Sequence, residues 1–191
     1  MINDKHKFIF IHIPRTGGTS IQKQLATHII EPTKHWNMWD WEKQAGDKKF
    51  NNYFKFTFVR NPWDIVISKY LDRWYYRGNN PHLKNGPIGG LAGKSLLYFL
   101  QNYITIPHEH GDAQLEYFDP EKVDFIGRFE NRKRDLNTIS QKIGFNISSD
   151  YMLRKKTHKK HYTEYYDDVT RQIVAERYAK DIESFGYKFG E

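Results

Sequence analysis

A short run of basic, glycine and hydroxyl residues near the start of the chain has the composition of an anion-binding loop. In Arg15-Thr-Gly-Gly-Thr-Ser20 a fixed positive charge precedes a glycine pair and hydroxyl side chains. Glycine allows the backbone to come close to a ligand, and the N–H groups at the start of a helix favour a negative charge. The guanidinium group adds donors in a fork that fits phosphate or sulfate. The residues predicted to bind such an anion are Arg15, Thr16, Gly17, Gly18, Thr19 and Ser20.

The loop lacks the lysine that a Walker A phosphate loop requires. That motif, G-x-x-x-x-G-K-[ST], places a lysine directly before the hydroxyl residue, whereas Gly18 precedes Thr19 here. The sequence therefore favours an anionic ligand other than Mg²⁺-bound ATP.

A second positive charge, Arg60, directly follows the apolar run from Phe54 to Val59. The next residues begin a helix pattern, and Ser68 lies ~9 Å beyond Pro62 along a helix that rises about 1.5 Å per residue. A phosphate that contacts an extended Arg60 side chain could reach across this distance. The spacing predicts that Arg60 and Ser68 bind one phosphate group, with an ordinary exposed helix serine as the alternative for Ser68.

Strands and helices alternate around the two predicted sites. Apolar runs rich in strand formers cover residues 8–13 and 54–59. Each run is followed by apolar residues at helical spacing, and Asn61 and Pro62 suit the start of the second helix. A last helix is predicted over about residues 168–184. This alternation predicts a three-layer α/β fold in which a small parallel sheet is flanked by helices.

A third predicted strand carries another arginine to a strand end. Residues 123–126 are predicted to form a short buried strand that ends at Gly127 and Arg128, and a helix pattern begins near Asn131. Open α/β sheets place ligand contacts beyond the carboxyl ends of their strands. Arg128 is therefore a candidate anion ligand, with a salt bridge to Glu130 as the alternative.

Four stretches together resemble the carbohydrate-type sulfotransferases, which use 3′-phosphoadenosine 5′-phosphosulfate (PAPS). They occur in the family's order and extend over most of the chain, at residues 12–20, 58–63, 123–130 and 162–189. This family includes the heparan 2-O- and chondroitin sulfotransferases and short bacterial relatives. The resemblance implies the P-loop NTPase-like sulfotransferase fold. It also implies transfer of a sulfuryl group from PAPS to a hydroxyl acceptor such as a glycan, with 3′-phosphoadenosine 5′-phosphate (PAP) as product.

The same resemblance assigns roles to the two predicted anion sites. The first loop is similar to the element that holds the 5′-phosphosulfate, and Arg60 and Ser68 match the element that holds the 3′-phosphate. Arg15 stands where the family usually has lysine, so the resemblance implies charge stabilisation at this position. Catalysis would then depend on alignment and on stabilisation of charge at the transferring and leaving oxygens.

A histidine and two lysines complete the site that the resemblance implies. The family tends to place a histidine upstream of the second strand, where His35 fits as the general base for the acceptor hydroxyl. The alternative for His35 is a surface residue beside packed tryptophans. Lys156 and Lys159 lie in the basic run from Arg154 to His161, which resembles a loop that closes over the nucleotide. The alternative for this run is a solvated charged face.

The composition agrees with anionic ligands without selecting among them. The 191 residues include 30 Lys and Arg against 23 Asp and Glu, for a net charge of +7. This balance favours a nucleotide, an acidic glycan, nucleic acid or a membrane surface. Cysteine is absent, which excludes disulfides and cysteine-bound zinc. His108-Glu-His110 lacks the spacing of a metal motif, and no metal is predicted.

The length and the N-terminal segment predict one domain over residues 1–191 with a cytoplasmic location. A chain of this size can form one buried α/β core. Residues 1–7 are polar, and the apolar run after them is too short for a signal peptide or a membrane span. We therefore expect neither in this chain.

Two other functions remain open beside a sulfotransferase. A nucleotide or sugar kinase would share the fold, but it would need Mg²⁺ ligands and a Walker lysine that the sequence does not offer. A polyanion-binding or RNA-binding module would use the positive charge and exposed aromatic residues, and its affinity would depend steeply on salt. The sulfotransferase hypothesis predicts no nucleic-acid partner.

Overall fold

The computed structural model describes residues 1–25, 36–72, 94–102, 113–152 and 160–191. These residues divide into two units. The first unit contains the described part of residues 1–60 and 114–155, and the second contains the described part of residues 61–113 and 156–191. A single domain over the whole chain remains a prediction.

The first unit is built on a four-stranded sheet of β1 (Ile2–Asn3), β2 (Phe8–Ile11), β3 (Phe54–Val59) and β4 (Phe125–Arg128). The strand order follows the chain, β1-β2-β3-β4. β2, β3 and β4 are parallel, and β1 runs antiparallel to β2 at the edge. The predicted α/β fold with a small parallel sheet is confirmed, and the antiparallel edge strand β1 is an element that the sequence did not predict.

Parallel pairing brings the carboxyl ends of three strands to one edge of the sheet. Ile11 of β2 pairs with Thr57 of β3, and Val59 of β3 pairs with Arg128 of β4. The residues that follow these strands therefore leave the sheet on the same side. Ligands of open α/β folds bind at this edge.

Helices pack against the sheet because its strands are apolar. All four residues of β2 are 0% exposed, as expected for a parallel strand that is covered on both faces. Phenylalanines of β2 and β3 form one core with apolar residues of α1 (Gly18–Leu25) and α6 (Arg132–Ile143). α2 (Met38–Ala45) lies against β2, and α3 (Asp47–Asn52) follows α2.

The third predicted strand lies two residues further along the chain than expected. The sequence predicts residues 123–126 with a stop at Gly127, whereas β4 spans Phe125–Arg128. Gly127 lies inside the strand because the Phe58 ring fills the space beside it, and a Cβ there would lie 2.6 Å from that ring. Since glycine weakens a strand, it gives a false stop signal at this position.

The second unit consists of helices around an apolar core. The helices are α4 (Pro62–Leu71), α5 (Leu96–Asn102), α7 (Asp168–Arg177) and α8 (Ala179–Phe185). The predicted single helix over residues 168–184 is wrong, because it breaks at Tyr178, whose buried side chain belongs to the same core as Trp63. No described helix is long and apolar enough to cross a membrane.

Asn61 fixes the start of α4 and the C-terminal segment. Its Oδ1 accepts a hydrogen bond from the Trp63 amide at 3.2 Å. Its Nδ2 donates to the Lys188 carbonyl at 2.9 Å and to the Tyr162 hydroxyl at 3.2 Å. The predicted helix cap at Asn61, with Pro62 as the first helical residue, is confirmed.

Candidate functional site

The loop after β2 is folded into the first turn of α1 by two hydrogen bonds. The Thr16 hydroxyl donates to the Ile13 carbonyl at 2.8 Å, and the Ser20 amide donates to the Gly17 carbonyl at 3.2 Å. Thr16 is buried, whereas Thr19 is exposed. The first N–H groups of a helix have no partner within the helix and carry its positive dipole end. The loop therefore ends at a helix N-terminus that can receive an anion.

Two residues of this loop have left-handed backbone conformations. The backbone angle φ is +70° at Arg15 and +82° at Gly17. Glycine adopts such values freely, but a residue with a side chain does so at a cost of about 1–3 kcal/mol. Residues under this kind of strain cluster at ligand sites. The conformation of Arg15 therefore supports its candidate role.

Neighbouring side chains leave little space for a Cβ at either glycine of the pair. A Cβ at Gly18 would lie 2.0 Å from Cδ2 of His12, which is buried. A Cβ at Gly17 would lie 3.0 Å from Nη1 of Arg132 and 3.1 Å from the Phe129 ring. Larger residues at these two positions would therefore displace the protein's own side chains, apart from any effect on a ligand.

Arg60 is buried beside this loop and is held through both its backbone and its side chain. Its Nη1 donates to the Arg15 carbonyl at 2.9 Å, and its Cζ lies 4.1 Å from the centroid of the Phe129 ring. The backbone N–H and C=O of Arg60 bond to the side-chain amide of Gln114 at 2.8 and 2.9 Å. The structure thus brings Arg60 into contact with the loop that contains Arg15.

Arg128 ends β4 at the same edge of the sheet. It pairs with Val59, the residue before Arg60, and its N–H donates to Oδ2 of Asp135 at 2.7 Å. Asp135 is buried in the first turn of α6 and also pairs with Nε of Arg134 at 2.8 Å. The third strand end is therefore fixed by a carboxylate of the helix that follows it.

The remaining predicted residues lie in the second unit or outside the described residues. Ser68 belongs to α4 and is 7% exposed, so the alternative of an exposed helix serine is wrong. His35, Lys156 and Lys159 lie outside the described residues, as does the segment His108-Glu-His110. Within the part of the chain that the structure describes, no group of three or more acidic or histidine residues could hold a metal ion.

Sequence analysis missed three residues that shape this site. Phe129 and Gln114 hold Arg60, and Arg132 lies against Gly17. No sequence signal pairs Gln114 or Phe129 with Arg60, because these contacts join distant parts of the chain. Arg132 has the sequence context of an ordinary charged residue in the first turn of a helix.

A glycine-containing loop between a parallel strand and a helix, with arginines at the neighbouring strand ends, is the arrangement expected of an anion site in an α/β protein. The sequence profile of the sulfotransferase family matches residues 1–188 of the chain. The chain therefore belongs to the sulfotransferase family, which confirms the resemblance described above. No solved structure matches the chain.

Two relatives with assigned names are carbohydrate sulfotransferases. Carbohydrate sulfotransferase 10 of Xenopus laevis is 24% identical, and the match covers 98% of this chain and 66% of that protein. Carbohydrate sulfotransferase 9 of Homo sapiens is 22% identical, with 97% and 52% covered. An uncharacterized protein of Archaeoglobus fulgidus is 31% identical over 56% of this chain and 80% of that protein. The chain spans about two thirds of the length of the first relative and about half of the second.

Proposed function

We propose that this protein transfers a sulfuryl group from PAPS to a hydroxyl group of a carbohydrate. The observation that carries the proposal is the buried Arg60 guanidinium, which stacks on Phe129 and donates to the backbone of the glycine loop at Arg15. This contact supplies fixed positive charge near a helix N-terminus at the carboxyl edge of a parallel sheet. Membership of the sulfotransferase family supports PAPS as the donor among anionic nucleotides.

In the proposed reaction the acceptor oxygen bonds to sulfur as the bond between sulfur and the bridging phosphate oxygen of PAPS breaks. The acceptor proton passes to a base, for which His35 is the candidate, and PAP leaves with the electron pair of the broken bond. Arg15 and the N–H groups of the loop stabilise the charge on the transferring and leaving oxygens. The protein would thus contribute mainly alignment and charge stabilisation.

We assign Arg60 to the 3′-phosphate of the nucleotide. We also propose that Ser68, which belongs to the second unit, contacts this 3′-phosphate. This proposal rests on the family resemblance. Arg128, Lys156 and Lys159 are proposed as further nucleotide contacts. A 3′-phosphate contact would distinguish PAPS from ATP, because ATP has no phosphate at that position.

The acceptor class is proposed from the relatives and from charge. Both relatives with assigned names are carbohydrate sulfotransferases, and a net charge of +7 suits an acidic glycan. Transfer of labelled sulfate from PAPS to a set of acidic and neutral glycans tests this part of the proposal. Labelling of small phenols or steroids but of no glycan would contradict it.

Ligand-induced stabilisation tests the nucleotide. PAP should raise Tm more than AMP or Mg²⁺-ATP, because only PAP has the 3′-phosphate proposed to bind Arg60. A ligand at one hundred times its Kd adds about 2.7 kcal/mol to the free energy of unfolding. The difference between PAP and AMP should vanish in Arg60→Ala. Arg177→Ala removes an exposed arginine of α7 and should respond like the wild type. Equal shifts with PAP and AMP in the wild type would contradict the 3′-phosphate contact, and a larger shift with Mg²⁺-ATP would favour a kinase.

A further inference from the structure

Arg132 is a buried guanidinium group without a charged partner among the described residues. It begins α6 and is 7% exposed. Its hydrogen bonds, from Nη1 to the Gly17 carbonyl and from Nη2 to the Tyr151 carbonyl, are both 3.5 Å long. Its Nε is buried and has no hydrogen-bond partner in the described part of the chain. The described residues therefore leave part of the donor capacity and the positive charge of this group without a partner.

This arrangement is unfavourable for the protein alone. Arginine keeps its charge in proteins, and a buried charge without a counter-charge is strongly destabilising. Burial lowers the pKa of the Arg132 guanidinium, as expected for a cation that loses water. Bonds of 3.5 Å to neutral carbonyls are at the limit of hydrogen bonding and replace little of the lost solvation. A bound anion would supply both the missing charge and the missing acceptor.

The position of Arg132 indicates where that anion binds. Its Nη1 lies 3.0 Å from the place that a Cβ of Gly17 would occupy, at the turn that leads into α1. The Phe129 ring lies 3.1 Å from the same place. The Arg60 guanidinium stacks on this ring and donates to the Arg15 carbonyl. Arg132 and Arg60 therefore border the same loop, with Arg132 nearer to the glycine that precedes the helix N-terminus.

We propose that Arg132 is a further anion ligand of the glycine loop and binds the 5′-phosphosulfate end of the nucleotide. The identity of the nucleotide rests on the proposed function, whereas the anion site itself does not. After transfer the same guanidinium would hold the 5′-phosphate of PAP. Arg60 then binds the 3′-phosphate of the nucleotide, and Arg132 binds its 5′ end.

Calorimetric titration with pyrophosphate and with PAP tests this assignment. Pyrophosphate probes the anion site without the nucleoside. In Arg132→Met, which keeps a long unbranched side chain and removes the charged guanidinium group, both affinities should fall roughly ten- to a hundredfold, the loss typical of a charged hydrogen bond. Lys133→Met removes the neighbouring exposed charge of α6 and should leave both affinities unchanged. Arg132→Lys, which keeps a charge but not the fork of donors, should retain part of the affinity.

The stability of the ligand-free protein separates this role from a structural one. Loss of an uncompensated buried charge should leave the Tm of free Arg132→Met equal or higher. If the residue merely ties Gly17 to Tyr151, the variant will have a lower Tm and unchanged affinities, which overturns the proposal. Wild-type binding of PAP together with unchanged binding in Arg132→Met also overturns it and leaves the proposed function standing. Binding of pyrophosphate but not PAP by the wild type overturns the proposed function, and the pyrophosphate affinities then decide the role of Arg132 alone.

Discussion

The Arg60 side chain donates a hydrogen bond to the carbonyl of Arg15, with 2.9 Å between Nη1 and the oxygen. Because Arg15 has a positive φ, this bond supports a backbone conformation that a residue with a side chain adopts at a cost. The carbonyl and the next N–H of a trans peptide point in opposite directions, so the same bond sets the direction of the Thr16 N–H. Arg60 therefore shapes the loop in addition to its proposed contact with the nucleotide.

Arg15→Gly should give a more stable protein than Arg15→Ala, and both variants should be less active than the wild type. Both variants lose the guanidinium, which should lower kcat by on the order of 10²–10³ if it stabilises developing charge. Glycine relieves the left-handed strain and alanine does not, so the free energy of unfolding should differ by about 1 kcal/mol in favour of glycine. Denaturant unfolding and sulfuryl transfer from PAPS measure the two effects. Equal stability of the two variants would show that the strain at Arg15 is negligible.

Gly18→Ala should destabilise the protein through a steric clash with His12. The new Cβ would lie 2.0 Å from the imidazole ring, and displacement of a buried ring costs about 1–3 kcal/mol. Gly46→Ala shows the backbone effect alone, since Gly46 has a positive φ, where alanine is strained, but no atom within 4 Å of its Cβ position. Gly18→Ala should also weaken pyrophosphate binding, whereas Gly46→Ala should not. A free energy of unfolding of Gly18→Ala equal to that of the wild type would argue against the packing role of Gly18.

Asn61→Ala and Asn61→Ser should separate the helix cap from the contacts to the C-terminal segment. Ser keeps an oxygen that can accept from the Trp63 amide, whereas Ala loses it, at a cost of about 0.5–2 kcal/mol for a cap. Both variants lose the Nδ2 donor to the Lys188 carbonyl, a hydrogen bond that contributes about 0.5–1.5 kcal/mol. Chemical denaturation should therefore rank the wild type first, Ser second and Ala last. A Ser variant as stable as the wild type would show that the Lys188 contact contributes nothing.

Tyr166→Phe should change the dependence of stability on alkaline pH. Burial raises the pKa of Tyr166 well above its ordinary value, and its hydroxyl donates to the Trp63 carbonyl at 2.9 Å. The folded state therefore holds this proton more tightly than the unfolded chain does. The resulting stability is complete below about pH 10, the ordinary tyrosine pKa, and is lost as pH rises above it. In urea unfolding the wild type should have a higher free energy of unfolding than the variant at pH 7, and this difference should shrink at higher pH. A difference that does not change with pH would contradict this account.

Sequence signals predict the elements of this chain better than the contacts between them. The bounds of β3 and the cap at Asn61 follow from neighbouring residues, and the structure agrees with both. Gly127 and Tyr178 mislead because distant side chains decide their conformations. The Phe58 ring fills the space beside β4, so that only glycine fits at position 127. Burial of the Tyr178 ring accompanies the break between α7 and α8. Neither effect has a local signature.

The same division applies to the candidate site. Arg15 and Arg60 can be selected from the sequence, because residue type and position at a strand end suffice for that prediction. The stacking of Arg60 on Phe129 and the burial of Arg132 cannot be selected in this way. Both depend on side chains brought together by the parallel sheet, and an arginine in the first turn of a helix is ordinarily exposed.

His35→Ala should lower kcat by roughly 10²–10⁴ and leave PAP affinity nearly unchanged. The acceptor hydroxyl is a weak nucleophile at neutral pH, and a histidine with an ordinary pKa of about 6.5 is mostly neutral there and can accept its proton. The wild-type rate should fall as pH drops below this value, because the protonated ring cannot act as a base, and this acidic limb should be absent from the variant. His161→Ala, which removes an exposed histidine bonded to Thr163, should retain the wild-type pH profile. Unchanged turnover in His35→Ala would exclude His35 from the site, and loss of PAP binding would instead make it a nucleotide contact.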